Sequence, residues 1–225
     1  MMYKYETHLH TREVSGCATA SGAEQARRYK DEGYDGIIVT DHFFNGNSAI
    51  RHWTDWNDRV KQFCLGYENA RNEGEKIGLK VFFGIEYSYA GADLLTYGVD
   101  GDWLCQNSDI MDISAYEYVD RVHKAGGIVV HAHPFREADY IHEIKLLPDW
   151  VDGVEVYNAG NYDDKFNERA VWYAEQYGFP QTAGGDNHHL TSLRLSGVFS
   201  ETPFENIFDY IKAVKNNTIS GLIIP

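Results

Sequence analysis

The sequence predicts an α/β fold in which a compact barrel of parallel strands is surrounded by helices. Short, β-branched apolar segments alternate with polar stretches that favour helix, and this alternation is typical of βαβ units. Six or seven such units in 225 residues favour a compact barrel over an open sheet. Side chains of metal-binding types follow directly after the strands, at the end where barrel strands present one common face.

Each element has its own local signal. The run from Gly36 to Thr40 is apolar and β-branched, which predicts a buried strand, and Gly33 ends the helix before it. A first strand ends in residues 6–10, and further strands are predicted at 36–40, 79–85, 94–99, 127–130, 153–157 and 180–183. Helices are predicted at 23–32, 55–76, 114–125, 163–177 and 204–216. We expect the strand at 94–99 to form a hairpin with residues 86–89.

The composition limits the classes of partner. The formal net charge of −14 argues against a protein that binds nucleic acid or an anionic membrane through its surface charge. This charge does not exclude a phosphate substrate, because bound cations would reverse the local field. Part of the acidity is explained if several carboxylates serve as metal ligands.

We expect residues 1–225 to form a single domain, because no linker, low-complexity stretch or internal repeat divides them. Three scattered cysteines, Cys17, Cys64 and Cys105, are too few for a disulfide framework and favour a reduced, cytoplasmic protein. The N-terminal residues lack the apolar segment of a signal peptide, and no apolar run approaches the roughly 18–20 residues of a membrane span.

Five segments that follow predicted strands carry the candidate metal ligands. These segments are His8-Leu9-His10, Thr40-Asp41-His42, Gly84-Ile85-Glu86, His131-Ala132-His133-Pro134 and Asp186-Asn187-His188-His189. In an extended chain residues i and i+2 point the same way, so each His-x-His or Asp-x-His pair is expected to present both side chains together. The five segments offer more ligands than one ion needs, and Glu86 is suited to bridge two ions about 3.5–4 Å apart. Imidazole and carboxylate ligands suit zinc, manganese or iron.

A single His-x-His would more often have a structural explanation than a metal one. Here, however, seven of the ten histidines fall in these segments, and the conjunction at five strand ends carries the metal interpretation. The other three, His52, His123 and His142, are interpreted as ordinary surface or core histidines.

These motifs, in this order, resemble those of the PHP (polymerase and histidinol phosphatase) family, from Glu6 to about Leu195. The resemblance implies a distorted (β/α)7, TIM-like barrel with a trinuclear metal centre and phosphoesterase activity. It also implies a ligand set. The first ion would be bound by His8, His10, Glu86 and Asp186, the second by Glu86 and His133, and the third by His42 and His188.

Two positions depart from the family pattern. Many members have a further ligand of the third ion shortly after the first His-x-His, and here Glu13 is the candidate, with Gly16 and Cys17 less favoured. Many members also have a His after the bridging Glu, where this chain has Asp93. An oxygen ligand at Asp93 would favour a harder ion such as manganese, or it would leave a weaker second site.

Other candidates concern substrate and proton transfer. Arg136 is the candidate phosphate clamp, with Arg194 as a weaker one. Tyr157 and Asn158 follow a strand and are expected at the same face, in contact with substrate or packed at its rim. His131 and His189 are both candidate proton donors to the leaving group, and the sequence does not choose between them.

The predicted activity is hydrolysis of a small phosphate monoester by a hydroxide that two or three divalent ions, zinc, manganese or iron, generate. Histidinol phosphate, a nucleotide and a phosphotyrosine peptide are all compatible substrates. Three alternatives remain open at this stage. They are a PHP-type nuclease, a metal-binding module without turnover, and an amidohydrolase.

Overall fold

The computed structural model describes residues 2–225, which form nine strands and six helices. The strands are β1 (Tyr3–Leu9), β2 (Gly36–Val39), β3 (Lys80–Tyr89), β4 (Ala92–Tyr97), β5 (Ile128–Ala132), β6 (Gly153–Asn158), β7 (Gln181–Gly184), β8 (Gly197–Ser200) and β9 (Gly221–Ile223). The helices are α1 (Gly22–Asp31), α2 (Trp56–Ile77), α3 (Gly101–Gln106), α4 (Ala115–Lys124), α5 (Lys165–Tyr177) and α6 (Ile207–Lys215).

All nine strands belong to one sheet that curls into a nearly closed barrel. The strand order is β7-β6-β5-β4-β3-β2-β1-β8-β9, and the β1–β2–β3 and β5–β6–β7 neighbours are parallel. The two distant strands β1 and β7 approach each other at the site end, where the backbone N–H of Asp186 donates to the carbonyl of His8 at 2.8 Å. The predicted α/β barrel is therefore confirmed, as a mixed sheet in which β4, β8 and β9 run antiparallel to their neighbours.

The β3–β4 hairpin was predicted and is confirmed. Its turn consists of Ala90 and Gly91, which both have positive φ, 49° and 94°, as a tight hairpin turn requires. The hairpin reverses the chain directly after Glu86, so Asp93 pairs with Ser88 near the end of β3. A candidate ligand on an antiparallel strand thus reaches the carboxyl ends of the parallel strands.

The core divides into a layer inside the barrel and layers between sheet and helices. On β5, Val130 packs inside the barrel with Tyr5 and Leu95, whereas Val129 packs outside with residues of α4 such as Val122. The first two helices also approach closely, because a Cβ at Gly22 of α1 would lie 2.1 Å from the carbonyl oxygen of Gly66 of α2. This close packing supports the loops that follow β1 and β2.

The sequence reading missed three short elements, α3, β8 and β9. Each has few residues, so periodicity is a weak signal, and β8 and β9 are strands because they add to the sheet beside β1. Within residues 2–225, no helix combines the length and the apolar composition needed to cross a bilayer.

Candidate metal centre

The carboxyl ends of β1, β2, β3, β5 and β7 bring the predicted ligands to the floor of one cleft of about 620 Å³. Side chains from all five segments meet there, although His8 and His188 lie near opposite ends of the chain. Four sets of three side chains place one donor atom each within 4.8 Å of one another. The sets are His8–His10–Glu86, His8–His133–Asp186, Glu86–Asp93–His133 and His10–His42–His188.

Hydrogen bonds behind the rings orient His8 and His10 on β1. Nδ1 of His8 lies 3.0 Å from Oε1 of Glu155, and Nδ1 of His10 lies 3.0 Å from Oγ of Ser15. Ser15 in turn donates to the buried carboxylate of Asp41 at 2.6 Å. With Nδ1 occupied in both rings, the two Nε2 atoms face each other across 3.1 Å at the cluster. This arrangement presents Nε2 as the ligand atom of each histidine.

Glu86 lies at the centre of the cluster. Its Oε1 is 3.1 Å from Nε2 of His8 and 3.3 Å from Nε2 of His133, while its Oε2 is 2.5 Å from Nδ1 of His42. Each carboxylate oxygen therefore faces a different group of imidazoles. This is the placement that a carboxylate needs to bridge two cations.

Asp186 follows β7 in a left-handed backbone conformation, φ 51°, which turns its carboxylate toward β1. Its Oδ1 lies 3.2 Å from Nε2 of His10. Its Oδ2 accepts a hydrogen bond of 2.7 Å from Arg136, whose guanidinium also donates to Asn158 and Asn161. The guanidinium thus fixes the carboxylate while leaving Oδ1 directed at the histidines.

The remaining ligand candidates lie on two sides of Glu86. Asp93 points its Oδ2 toward Nε2 of His133 at 3.9 Å, while its Oδ1 accepts from Ser88 at 2.6 Å. On the other side, the ring of His188 stacks on that of His10 with centroids 4.1 Å apart, and Nδ1 of His188 bonds to the carbonyl of Asp186.

The charges in the cluster are strongly coupled. Burial raises the pKa of the Glu86 carboxyl, but the positive charges of His42 and His8 outweigh burial and hold the pKa well below its usual value. Burial likewise raises the pKa of Asp186, and His8 and Arg136 outweigh it. Burial, followed by the charges of His188 and His42, lowers the pKa of His10 well below its usual value. The carboxylates are thus ionised, as metal ligands must be, whereas the neighbouring carboxylates outweigh burial and raise the pKa of His8 and His42, so a bound metal would displace their protons.

The donor set fits divalent cations. Oε2 of Glu86 and Nδ1 of His42 are both buried and lack a hydrogen bond of normal geometry within residues 2–225, although they lie 2.5 Å apart. A divalent cation that displaces the proton of His42 would be bound by this oxygen and this nitrogen together. Imidazole and carboxylate donors suit borderline divalent ions.

Comparison with known proteins supports the same fold. A two-domain protein of Bacteroides vulgatus that contains a predicted PHP-like metal-dependent phosphoesterase superposes with a TM-score of 0.71 at 16% identity, over 96% of this chain and 63% of that chain. A candidate metal-dependent phosphoesterase of Bifidobacterium adolescentis gives a TM-score of 0.58 at 16% identity, over 96% of both chains. An amidohydrolase of Chromobacterium violaceum, solved with sulfate, gives 0.60 at 14% identity, over 99% of this chain and 98% of that chain.

The chain has the fold of the PHP-like proteins. The resemblance predicted from the motifs is confirmed at the level of the fold. No family model matches the sequence. An uncharacterized protein of Methanocaldococcus jannaschii is 30% identical over 149 residues, which are 62% of this chain and 52% of the relative, so the chain spans about half the length of that curated relative.

Within this PHP-type barrel, the structure places Glu13 away from the cluster. Its carboxylate accepts hydrogen bonds from the backbone N–H of Gly22, at the start of α1, and from the side chain of Asn69 at 2.9 Å. Cys17 instead lines the cleft beside His42 and His188. The prediction that favoured Glu13 over Cys17 is wrong in its placement, because the loop after β1 turns Glu13 toward the helices.

The predicted position of His131 at the site is also wrong. It follows the inward-facing Val130 on β5, so its ring points to the helix layer, where it packs edge-on against Tyr173 with centroids 6.0 Å apart. His133 turns into the site because its own φ of 27° breaks the strand alternation. The expected i, i+2 pairing of these two histidines is wrong for that reason, and His131 has no place in the proton transfer. His189, the other candidate donor, lies exposed at the rim of the cleft.

The side chains of Tyr157 and Asn158 point to opposite sides of the sheet, and a bulge in β6 decides which of them points inward. The register of β6 against β7 shifts between Glu155 and Tyr157, which turns Asn158 inward to donate to Glu155 at 2.8 Å. Tyr157 points outward and accepts a hydrogen bond of 2.6 Å from Arg194. Tyr157 and Arg194 therefore line a different surface depression and not the cleft. Their predicted contact with substrate is not supported by this placement.

The sequence reading missed the residues that hold the ligands. Glu155 is fully buried, receives the backbone N–H of His133 at 3.0 Å and holds His8 from behind. The sequence contains a signal for the role of Glu155, because this carboxylate lies in the middle of the apolar run from Gly153 to Val156. A buried charge in a strand needs a partner, and histidines that bind metal commonly supply one.

Proposed function

We propose that the chain is a metal-dependent hydrolase of small phosphate monoesters. The observation that supports this proposal best is the position of Glu86, whose two oxygens face separate groups of imidazoles at the floor of an open cleft. A structural metal site would be closed by its protein ligands, whereas this cluster is open to a substrate on one side.

The proposed ligands divide into three groups. The first ion would be held by His8, His10, Glu86 and Asp186, the second by Glu86, Asp93 and His133, and the third by His42 and His188. Two or three divalent ions of zinc, manganese or iron fit these donors. Bound there, the ions would supply a water of lowered pKa for attack and would neutralise the charge of the phosphoryl oxygens.

The side chains of the protein prepare the site for this reaction. Glu155 and Ser15 fix the ring orientations of His8 and His10, and Arg136 fixes Asp186. His189 is the proposed proton donor to the leaving group. Its Nδ1 lies 2.8 Å from the hydroxyl of Thr19, and this contact orients the ring at the rim of the cleft.

The charge of the cleft favours a small substrate over DNA. Among the described residues, the cleft lining contains Arg136 as its single Lys or Arg, and that side chain is occupied by Asp186 and two asparagines. A net charge of −14 also disfavours electrostatic binding to a nucleic acid backbone. The amidohydrolase of Chromobacterium violaceum has a similar fold, so hydrolysis at carbon is the second candidate.

The test combines elemental analysis of the purified protein with a substrate panel. We expect metal-dependent turnover of para-nitrophenyl phosphate and of phosphate monoesters, with no activity on DNA or on amides. His10→Ala and Asp186→Ala are expected to lose metal and activity together while circular dichroism stays unchanged. The matched control is His123→Ala, because His123 is an exposed histidine that pairs with Asp152 outside the site.

Retained activity in His10→Ala or Asp186→Ala would count against this site. Turnover of DNA, or of amides, without turnover of monoesters would favour the nuclease or the amidohydrolase. A protein that binds metal but hydrolyses none of the panel with zinc, manganese or iron would be a binding module.

A further inference from the structure

Beyond the candidate ligands, the cleft is walled by the β3–β4 hairpin and by the loop that follows β2. Nδ2 of Asn45 in this loop donates to the carbonyl of Ser88 at 2.7 Å, and Oδ1 of Asn45 accepts the backbone N–H of Ser88 at 3.3 Å. A Cβ at Gly46 would lie 2.7 Å from Oγ of Ser88. The loop and the hairpin therefore form one connected wall of the cleft.

Tyr140 stands at the rim of the cleft, on the loop that follows β5. The backbone N–H of Ile141 donates to the carbonyl of Ala138 at 2.8 Å and closes a turn around Tyr140. This loop packs on the hairpin, because a Cβ at Gly91 would lie 3.3 Å from the carbonyl oxygen of Glu143. Tyr140 is 69% exposed, and among the described residues it is the single Phe, Tyr or Trp that lines the cleft. An aromatic face is thus held open to a ligand.

The cleft has little positive charge to offer beyond the candidate metal centre. In the described part of the chain, its lining contains one Lys or Arg, Arg136, which already donates to Asp186. Three divalent ions would be balanced by the carboxylates of Glu86, Asp93 and Asp186 together with a phosphate dianion and a hydroxide. A second anionic group on the substrate would therefore enter the cleft without a positive partner, which costs free energy.

We propose that the cleft selects phosphate monoesters whose alcohol portion is aromatic and carries no second anionic group, and that Tyr140 recognises this portion by stacking. This inference rests on the proposed function, which places the phosphate at the candidate metal centre. Two aromatic rings attract each other beyond the burial of their area, whereas a saturated ring of the same size gains the burial alone. An aryl phosphate fits this description, and a sugar bisphosphate does not.

Non-hydrolysable phosphonates test this recognition by binding alone. Benzylphosphonate and cyclohexylmethylphosphonate carry the same charge and differ in the ring. Isothermal titration of the zinc-loaded protein measures their affinities at pH 8, where an ordinary histidine is neutral. We expect benzylphosphonate to bind about 3–10-fold more tightly, the contribution of one stacked ring pair.

Variants of Tyr140 locate this preference. We expect Tyr140→Phe to keep the affinity ratio of the two phosphonates, because the aromatic face remains, and Tyr140→Leu to bring the ratio to about 1. The ratio is taken within each variant, so a general loss of metal or of stability does not change it. The matched control is Tyr116→Leu, because Tyr116 is an exposed tyrosine of α4 that does not line the cleft.

A second pair of ligands tests the charge. 4-(Carboxymethyl)benzylphosphonate and its carboxamide have nearly the same shape and differ by one negative charge. We expect the carboxamide to bind at least about tenfold more tightly, because the carboxylate loses water without gaining a partner. Asn47→Lys places a cation in the cleft lining and is expected to narrow this difference, whereas Asn72→Lys on the exposed face of α2 is not.

The inference is overturned if the wild-type protein binds none of these phosphonates or binds both rings equally. An unchanged ratio in Tyr140→Leu, or a carboxylate that binds as tightly as its carboxamide, would also overturn it. The corresponding phosphate esters separate this inference from the proposed function. Selective binding of the phosphonates without hydrolysis of any phosphate ester would support the role of Tyr140 and refute the proposed function, and hydrolysis without these preferences would do the reverse.

Discussion

Oε1 of Glu155 lies 3.0 Å from Nδ1 of His8, on the side of the ring opposite the metal-ligand cluster. Both side chains are fully buried, and the other oxygen of Glu155 receives the backbone N–H of His133. One carboxylate thus sets the orientation of two candidate ligands that come from different strands. Such a partner also raises the basicity of the imidazole it contacts.

We expect Glu155→Gln to weaken metal binding by about 10–100-fold, the usual effect of changing such an orienting group. The amide keeps the size of the side chain but loses the charge that makes His8 a stronger ligand. Isothermal titration of metal-free protein with zinc measures the change, and Glu168→Gln on the exposed face of α5 is the control. Unchanged zinc affinity in Glu155→Gln would show that this hydrogen bond does not support the centre.

Kinetics distinguish two roles for Arg136, which are orienting Asp186 and binding the phosphate of the substrate. Because its guanidinium already donates to Asp186, Asn158 and Asn161, we expect Arg136→Lys to reduce metal content and kcat, since Asp186 loses its orientation. A free phosphate clamp would instead raise KM and leave the metal content unchanged. Elemental analysis together with steady-state kinetics decides between them, and Arg169→Lys at the exposed Glu137 pair is the matched control.

Glu13 provides a test of the loop geometry. We expect Glu13→Gln to leave the metal content unchanged and to lower the free energy of unfolding by about 0.5 kcal/mol, because its charge lies at the N-terminus of α1. Urea denaturation measures the second effect. Glu86→Gln is the comparison and is expected to lose metal. Loss of metal in Glu13→Gln would mean that the carboxylate reaches the cluster.

Replacing His131 by leucine is expected to stabilise the folded protein. Both ring nitrogens lack a hydrogen-bond partner within residues 2–225, and the ring is fully buried among apolar groups. Replacing it by leucine removes a buried polar group without a partner, which costs about 1–3 kcal/mol. We therefore expect His131→Leu to unfold at higher urea concentration than the wild type at pH 8, whereas His123→Leu at the surface does not.

The stability difference between His131→Leu and the wild type is expected to depend on pH. Burial, with a smaller contribution from the charge of His133, lowers the pKa of His131 to about 3, while the unfolded chain binds the proton near pH 6.5. Between these values the unfolded state carries the extra proton, so the wild type loses up to about 1.4 kcal/mol per pH unit from this residue as the pH falls. The advantage of His131→Leu is expected to grow from pH 6.5 downward, and a difference independent of pH would contradict this account.

The strands and helices with clear periodicity were predictable from local sequence. The β-branched run of β2 and the polar stretch of α2 carry their own signals, and the predicted bounds agree with the structure to within a few residues. Strands β8 and β9 were missed because their conformation depends on pairing beside β1 and not on their own composition.

The types of ligand and the strand ends that carry them were predictable from the sequence, because a barrel brings the carboxyl ends of its parallel strands to one face. Which neighbouring side chains turn inward depends on the folded chain. The left-handed backbone at His133 turns this ring into the site, whereas the ring of His131 points away from it. The bulge in β6 turns Asn158 inward and Tyr157 outward. Rotations of this kind depend on contacts with other strands, so a rule of alternation along one strand does not predict them. For the same reason, the role of Glu155 emerges only when distant segments meet.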